Sequence, residues 1–210
     1  MKVVGFDLDD TLYSHWEYEK SLFNTIAKSI EYKFGFNKEK VFAEMQKLFD
    51  KKDFDRLFDK SITNSGYELP ENWDEFVLNK VLPFYRNHKP DLILRPYEWV
   101  RDLLYKIRNN GYKLVLITNG GVSIQENKIG LLKLLSEFDK VYISDEFNPP
   151  MRKPDLKIFE TVLNDFEINA GEMIYVGDSV EKDAVCEKLG IKFVLNSDYK
   201  KLYEILDIKE

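Results

Sequence analysis

Short apolar runs and amphipathic stretches alternate along most of this chain, and one long segment breaks the alternation. Val3 to Phe6 has the length and β-branching of a buried strand. After Tyr13 the pattern turns helical: Trp16, Leu22, Phe23, Ile26, Ile30 and Phe34 recur at helical spacing, and Gly35 marks a stop. Val41, Met45, Leu48 and Phe49 continue the habit after Asn37, a capping residue, and Phe54, Leu57, Phe58 and Ile62 predict a shorter helix ending near Asn64-Ser65-Gly66. Trp73, Phe76, Val77 and Val81 predict a further helix from about Pro70 to Tyr85, limited by Pro83. Four helices without an intervening strand imply a small bundle inserted after the first strand. The polar stretch Asn87-His88-Lys89-Pro90-Asp91 reads as the linker back.

From Pro96 the period alternates between helix and strand, as βαβ units demand. Trp99, Leu103, Leu104 and Ile107 mark a helix ending at Gly111, and Leu114 to Ile117 is the strand that follows. Ile124, Ile129, Leu131, Leu132 and Leu135 define the next helical segment, and Val141 to Ile143 the next strand. Ile158, Phe159, Val162 and Leu163 mark a helix entered through Lys153-Pro154-Asp155; strands at 173–176 and 191–195 and a closing helix at 202–208 complete the alternation. The expected class is α/β, a doubly wound parallel sheet interrupted by a helical insert.

Polar residues collect where these strands end. Asp7 with Asp9, Thr118 with Asn119, Ser144 with Asp145, and Gly177 with Asp178 each follow a strand directly, and parallel strands bring such ends to one edge of a sheet. Asp7 and Asp9 leave one face of an extended chain, so their repulsion calls for a cation or a shared proton. Thr118 and the backbone N–H groups after it can donate to phosphate oxygens, Gly120-Gly121 allows close backbone approach, and Lys153 adds a positive charge just before a helix, with Pro154 at or near its first turn. Each part has an ordinary reading as a cap, a turn or a solvated charge. Their joint appearance in this order, each at a strand end or helix start, favours the chemical one.

Charge and composition narrow the partners. The chain is formally −6, which argues against nucleic acid, and the excess lies outside residues 14–95, where 14 basic residues meet 14 acidic ones. No apolar run approaches a membrane span and no signal-peptide layout opens the chain, so a cytoplasmic location without membrane attachment is expected. The single cysteine, Cys186, agrees with a reducing compartment and reads as a small buried apolar residue. His15 and His88 carry little weight as isolated matches, and Trp16, Tyr18, Phe54, Phe58 and Trp73 are expected in the core of the insert, with one or two free to touch substrate.

Taken together, FDLDDTLY, LVLITNG, RKPD and VGDSVEKD, in that order, resemble the four motifs of the haloacid dehalogenase-like hydrolase superfamily. The resemblance covers the first 13 residues and most of 96–196, and the insert is similar in place and size to the family's C1 cap. It implies a Rossmann-like catalytic core of residues 1–13 and 96–210 with a mobile helical cap of residues 14–95. It implies Asp7 as nucleophile, Asp9 as general acid and base, and Asp10 contributing only backbone. Thr118 would hold the transferring phosphoryl group with help from Asn119, and Lys153 would neutralise nucleophile and phosphate. Asp178 would bind Mg²⁺ with the Asp7 carboxylate and the Asp9 backbone carbonyl, and Asp183 would be a supporting acid. The segment from Ser144 to Lys153 runs longer than the family pattern and the stretch between Gly177 and Gly190 shorter, which bears on the approach of Lys153 and on the helix after Asp183.

The activity so implied is Mg²⁺-dependent hydrolysis of a small phosphorylated metabolite through an aspartyl-phosphate. A phosphomutase is the nearest alternative. A 2-haloacid dehalogenase resembles this chain in its nucleophile but keeps no acid in place of Asp9 and needs no metal. A phospho-acceptor receiver domain would be shorter, would lack the insert and would carry its aspartate on a later strand. Nothing in the chain fixes the physiological substrate or the oligomeric state.

Overall fold

The computed structural model describes residues 2–87, 90 and 93–209; of the expected linker, His88, Lys89 and Asp91 lie outside the described residues. The chain divides into two compact units, one of Met1–His15 with Ile93–Glu210 and one of Trp16–Leu92, against the 14–95 expected for the insert.

In the first unit, β1 (Val3–Phe6), β2 (Lys113–Thr118), β3 (Lys140–Ile143), β4 (Met173–Gly177) and β5 (Lys192–Leu195) form one parallel sheet in the order β3-β2-β1-β4-β5. Every residue of β1 is buried, as a central parallel strand covered on both faces requires. The register pairs Phe6 with both Leu116 and Val176, Thr118 with Ile143, and Gly177 with Leu195, so the five strands finish nearly level. The chain winds outward from β1 to β3 and then crosses back to β4, which makes the carboxyl end of β1 the switch point where such sheets open a crevice.

Helices follow the strands: α6 (Glu98–Asn109), α7 (Val122–Leu132), α8 (Lys157–Asp165) and α9 (Lys201–Leu206). Ile158, Phe159 and Val162 of α8 join Val3, Val115, Ile117, Tyr142, Met173 and Tyr175 in one core cluster. Cys186 lies in the same cluster, and burial pushes its thiol up to about 12, so it is a packed apolar residue. Pro154 lies three residues before α8, near the first turn as expected. Asp155 Oδ1 accepts from Lys157 N at 3.0 Å, and Lys153 and Pro154 belong to the turn before it. After Asp183 the chain forms a 3₁₀ helix, Ala184–Leu189, rather than an α-helix.

The second unit packs α1 (His15–Phe34, of which all but His15 belongs here), α2 (Lys38–Asp50), α3 (Leu57–Asn64), α4 (Trp73–Phe76) and α5 (Leu82–Asn87) around Phe23, Ile26, Ile30, Val41, Met45, Ile62 and Trp73. Gly35 ends α1 at φ +73, and Asn37 caps α2 through Oδ1 to Lys40 N at 2.9 Å. Two expectations fail here. Pro83 does not limit the last helix: Val77–Val81 form a π-helical turn between α4 and α5, and Pro83 stands inside α5. A proline ring collides with the carbonyl four residues back, and a widened turn at that point relieves the collision. Phe54 is 52% exposed and precedes α3, resting edge-on against Phe49 instead of entering the core. No helix among the described residues is long and apolar enough to cross a membrane.

Candidate active site

Asp7 directly follows β1, its backbone N–H donating to Val176 O at 2.8 Å, so the central strand's ladder carries on into the acidic segment. Its carboxylate is buried, with Oδ1 accepting from Lys153 Nζ at 2.7 Å and Oδ2 from the Thr11 hydroxyl at 3.2 Å. Burial is the largest influence on Asp7 and pushes its carboxyl up to about 7; Lys153 opposes this, while the neighbouring Asp183 and Asp9 reinforce it.

Lys153 is 4% exposed yet remains a cation. Desolvation works against its charge, but the Asp7 and Asp183 carboxylates outweigh it and raise its pKa above the ordinary lysine value. Besides Asp7 Oδ1, Nζ donates to Asp183 Oδ1 and to the Tyr175 hydroxyl, each at 2.7 Å, and lies 3.2 Å from Ile117 O. The Asn119 side chain fixes the backbone that delivers this lysine: Nδ2 donates to Lys153 O and Oδ1 accepts from Lys153 N, both at 2.8 Å. Asn119 therefore grips the lysine's own peptide groups, a role that a phosphate-binding assignment did not anticipate.

Asp183 is fully buried. Its Oδ2 accepts from Ser179 N at 3.0 Å, which folds the segment after β4 back on itself. One carboxylate oxygen from each of Asp7, Asp178 and Asp183 lies within 4.8 Å of the others. Three carboxylates facing one ammonium leave excess negative charge in a largely buried place, and hard oxygen donors so grouped fit a divalent cation such as Mg²⁺. Asp183, expected only as a supporting acid, thus belongs to the carboxylate cluster itself.

Asp9 instead lies among hydrogen-bond donors. Lys128 Nζ reaches both its oxygens at 3.0 Å, the Tyr13 hydroxyl reaches Oδ1 at 2.5 Å and Gln125 Nε2 reaches Oδ2 at 3.1 Å; His15 Nε2 is 3.9 Å from Oδ1. Burial would favour the neutral acid, but the electrostatic influence of His15 and Lys128 and the bonds from Tyr13 and Lys128 hold the carboxyl well below the usual carboxylate range. Asp10 takes a left-handed conformation at φ +58; its Oδ1 accepts from His15 N at 2.9 Å, opening α1, and its carbonyl accepts from Asn196 Nδ2 at 2.7 Å. Thr118 ends β2, buried, with Oγ1 accepting from Gln125 Nε2 at 2.5 Å. Ser144, after β3, accepts from Gly120 N at 3.0 Å and donates to Asp145 Oδ1 at 2.8 Å, and Arg152 clamps that Asp145 through two bonds.

Sequence reading missed Tyr13, Gln125, Lys128, Tyr175 and Asn196. For two of them a signal was present. Gln125, Lys128, Ile129 and Leu132 are the buried residues of α7 and follow one helical face, so the polar half of that stripe marks where the helix passes the site.

A family model described as haloacid dehalogenase-like hydrolase matches residues 4–196. A glyceraldehyde 3-phosphate phosphatase of Methanocaldococcus jannaschii is 32% identical over 185 residues, spanning 87% of this chain and 78% of that protein. A phosphoglycolate phosphatase of Nitrosospira multiformis is 27% identical over 183 residues, 86% of this chain and 76% of that protein. Among solved structures, a HAD phosphatase from Thermococcus onnurineus superposes with a TM-score of 0.67 at 22% identity, covering 98% of each chain, and supports the fold.

Proposed function

Since the chain belongs to the haloacid dehalogenase-like hydrolase family and is a phosphoric monoester hydrolase, we propose that it hydrolyses a small phosphorylated metabolite through an aspartyl-phosphate on Asp7, with Mg²⁺ as cofactor. Glyceraldehyde 3-phosphate and phosphoglycolate, the substrates that the relatives' names carry, are the first esters to try. The observation that carries the reading is Lys153 Nζ, buried 2.7 Å from Asp7 Oδ1 beside the cluster of Asp7, Asp178 and Asp183.

A phosphate monoester repels an anionic nucleophile, so attack by a carboxylate needs the charge on both masked. Lys153 masks Asp7 from one side. Mg²⁺, held by the carboxylates of Asp7 and Asp178, with Asp183 adjoining and the Asp9 carbonyl completing the set, would supply further charge neutralisation. Thr118 donates to a phosphoryl oxygen, and Asn119 acts by holding Lys153 in place. Asp7 attacks phosphorus as Asp9 protonates the departing alkoxide. Asp9, then ionised, takes a proton from the water that hydrolyses the phosphoenzyme. The donors around Asp9 favour that ionised form, while the incoming phosphate's negative charge favours the protonated one at the start. The helical unit of residues 16–92 is a C1-type cap that selects the substrate.

The test is a screen of phosphorylated metabolites with Mg²⁺, with a 2-haloacid as control. Phosphate release that EDTA and Asp7→Asn each abolish is expected. Asp9→Asn should still form phosphoenzyme but turn over poorly. Full turnover in EDTA or by Asp7→Asn, or halide release in place of phosphate, refutes the reading.

A further inference from the structure

The phosphate-binding hydroxyl and the proton-transferring carboxylate are joined by a single amide. Gln125 Nε2 lies 2.5 Å from Thr118 Oγ1 and 3.1 Å from Asp9 Oδ2, and Gln125 is 1% exposed. Asp9 accepts from Lys128 Nζ at both of its oxygens and from the Tyr13 hydroxyl at Oδ1, so its oxygens face donors on the sides those groups occupy. The face of the Gln125 amide turned toward Asp9 must therefore be its NH₂. That same nitrogen meets Thr118, so Thr118 Oγ1 accepts there, and its own proton is left for another acceptor. Among the described residues no other protein group takes it.

Gly120 keeps this arrangement possible. At φ +147 it occupies a conformation open to glycine, and a Cβ there would come within 3.1 Å of Gln125 Cγ and Cδ. The turn after β2 thus leaves its space to Gln125. Gly120 N–H is meanwhile held by Ser144 Oγ at 3.0 Å, which fixes the turn against β3.

We propose that Gln125 is a positioning residue that sets the polarity of Thr118: by donating to Oγ1 it directs the hydroxyl proton at the substrate's phosphoryl oxygen, and by donating to Asp9 it couples that hydroxyl to the acid–base carboxylate. The inference rests on the phosphatase reading above. It predicts that Thr118 donates one directed hydrogen bond to phosphate, and that this bond is lost when Gln125 cannot donate.

The experiment compares wild type, Gln125→Met, Gln125→Glu, Thr118→Val and the Gln125→Met/Thr118→Val double variant. The readouts are competitive inhibition by inorganic phosphate, kcat and KM on the best ester of the screen, and melting temperature. Methionine fills the same space without a donor, so phosphate inhibition and kcat/KM should each weaken about tenfold, the value of one hydrogen bond. In the Thr118→Val background the same change should cost less than about twofold, because the hydroxyl it acts through is gone. Glutamate would accept the Thr118 proton and turn it away from phosphate, so Gln125→Glu should lose more than Gln125→Met. Equal losses in both backgrounds, or a Gln125→Met enzyme within about twofold of wild type, overturn the proposal. A crystal structure of the wild type with phosphate tests it without any variant: Thr118 Oγ1 bridging Gln125 Nε2 and a phosphate oxygen is expected, and a Gln125 amide turned away from Thr118 overturns it. Absence of phosphate release by the wild type would instead refute the functional reading, so the two failures are distinguishable.

Discussion

Replacing Gly177 by alanine should damage both stability and metal binding through one misplaced methyl group. A Cβ on Gly177 would come 2.5 Å from Asp183 Cγ and 2.7 Å from Asp183 Cβ, and would fall on Oδ2 as well. Asp183 is 1% exposed and has no free space to retreat into; it is held by Lys153 at 2.7 Å and by Ser179 N at 3.0 Å. Overpacking a tight interior costs about 1–3 kcal/mol. Losing the charge-assisted bond to Lys153 adds about 1.5–3 kcal/mol. For a chain of this size the combined loss of about 2.5–6 kcal/mol lowers the melting temperature by roughly 5–24 °C. Thermal unfolding followed by circular dichroism checks the stability, and a Mg²⁺ titration of phosphate release checks the site, where a weaker apparent Mg²⁺ affinity is expected because Asp183 adjoins Asp7 and Asp178. A variant that melts within about 1 °C of wild type and titrates with the same Mg²⁺ dependence would refute the packing argument, because both effects follow from the same displaced carboxylate.

Lys153→Met removes the ammonium between Asp7 and Asp183 and should cost about 3–5 kcal/mol above pH 7, narrowing as pH falls through about 7 and the Asp7 carboxyl becomes neutral; urea unfolding at several pH values reads both effects. Asp139 accepts from Lys113 Nζ at 2.8 Å and Leu114 N at 2.9 Å, and these bonds outweigh the opposing effect of burial and hold its carboxyl below the ordinary value. Its contribution is thus present above the unfolded carboxyl's pKa and lost as pH falls through the lower folded value, so Asp139→Asn should cost about 0.5–1 kcal/mol at neutral pH, an amount that shrinks as pH falls through the folded value, by the same unfolding assay. Gly130 lies on the exposed side of α7 with nothing within 4 Å of an added Cβ, so Gly130→Ala should raise stability by about 0.5–1 kcal/mol and leave turnover unchanged; a loss of stability would show that the helix end needs glycine.

The strands were legible because a central parallel sheet demands continuous apolar runs, and Val3–Phe6, Leu114–Ile117 and Met173–Val176 are such runs closed by polar turns. Parallel pairing then made the meeting of Asp7, Thr118 and Asp178 at one edge a matter of geometry. What the sequence concealed follows from the habit of taking hydrophobicity as the mark of an inward face. Over residues 124–135 that habit selected Ile124, Ile129, Leu131, Leu132 and Leu135; Ile129 and Leu132 are buried, but Leu135 lies beyond α7 and is 64% exposed, while the unselected Gln125 and Lys128 are buried. The helix turns inward a stripe whose second half, Ile129 and Leu132, packs as core and whose first half faces Thr118 and Asp9. A polar residue costs stability at such a position unless it is hydrogen-bonded, so two of them on the core stripe of a helix that starts beside a strand-end site are evidence of what that site requires. Asn119 teaches the converse. Its place beside Thr118 suggested phosphate contact, but both ends of its amide are used on the Lys153 peptide, and a residue adjacent to the chemistry in sequence turns out to shape the lysine that takes part in it.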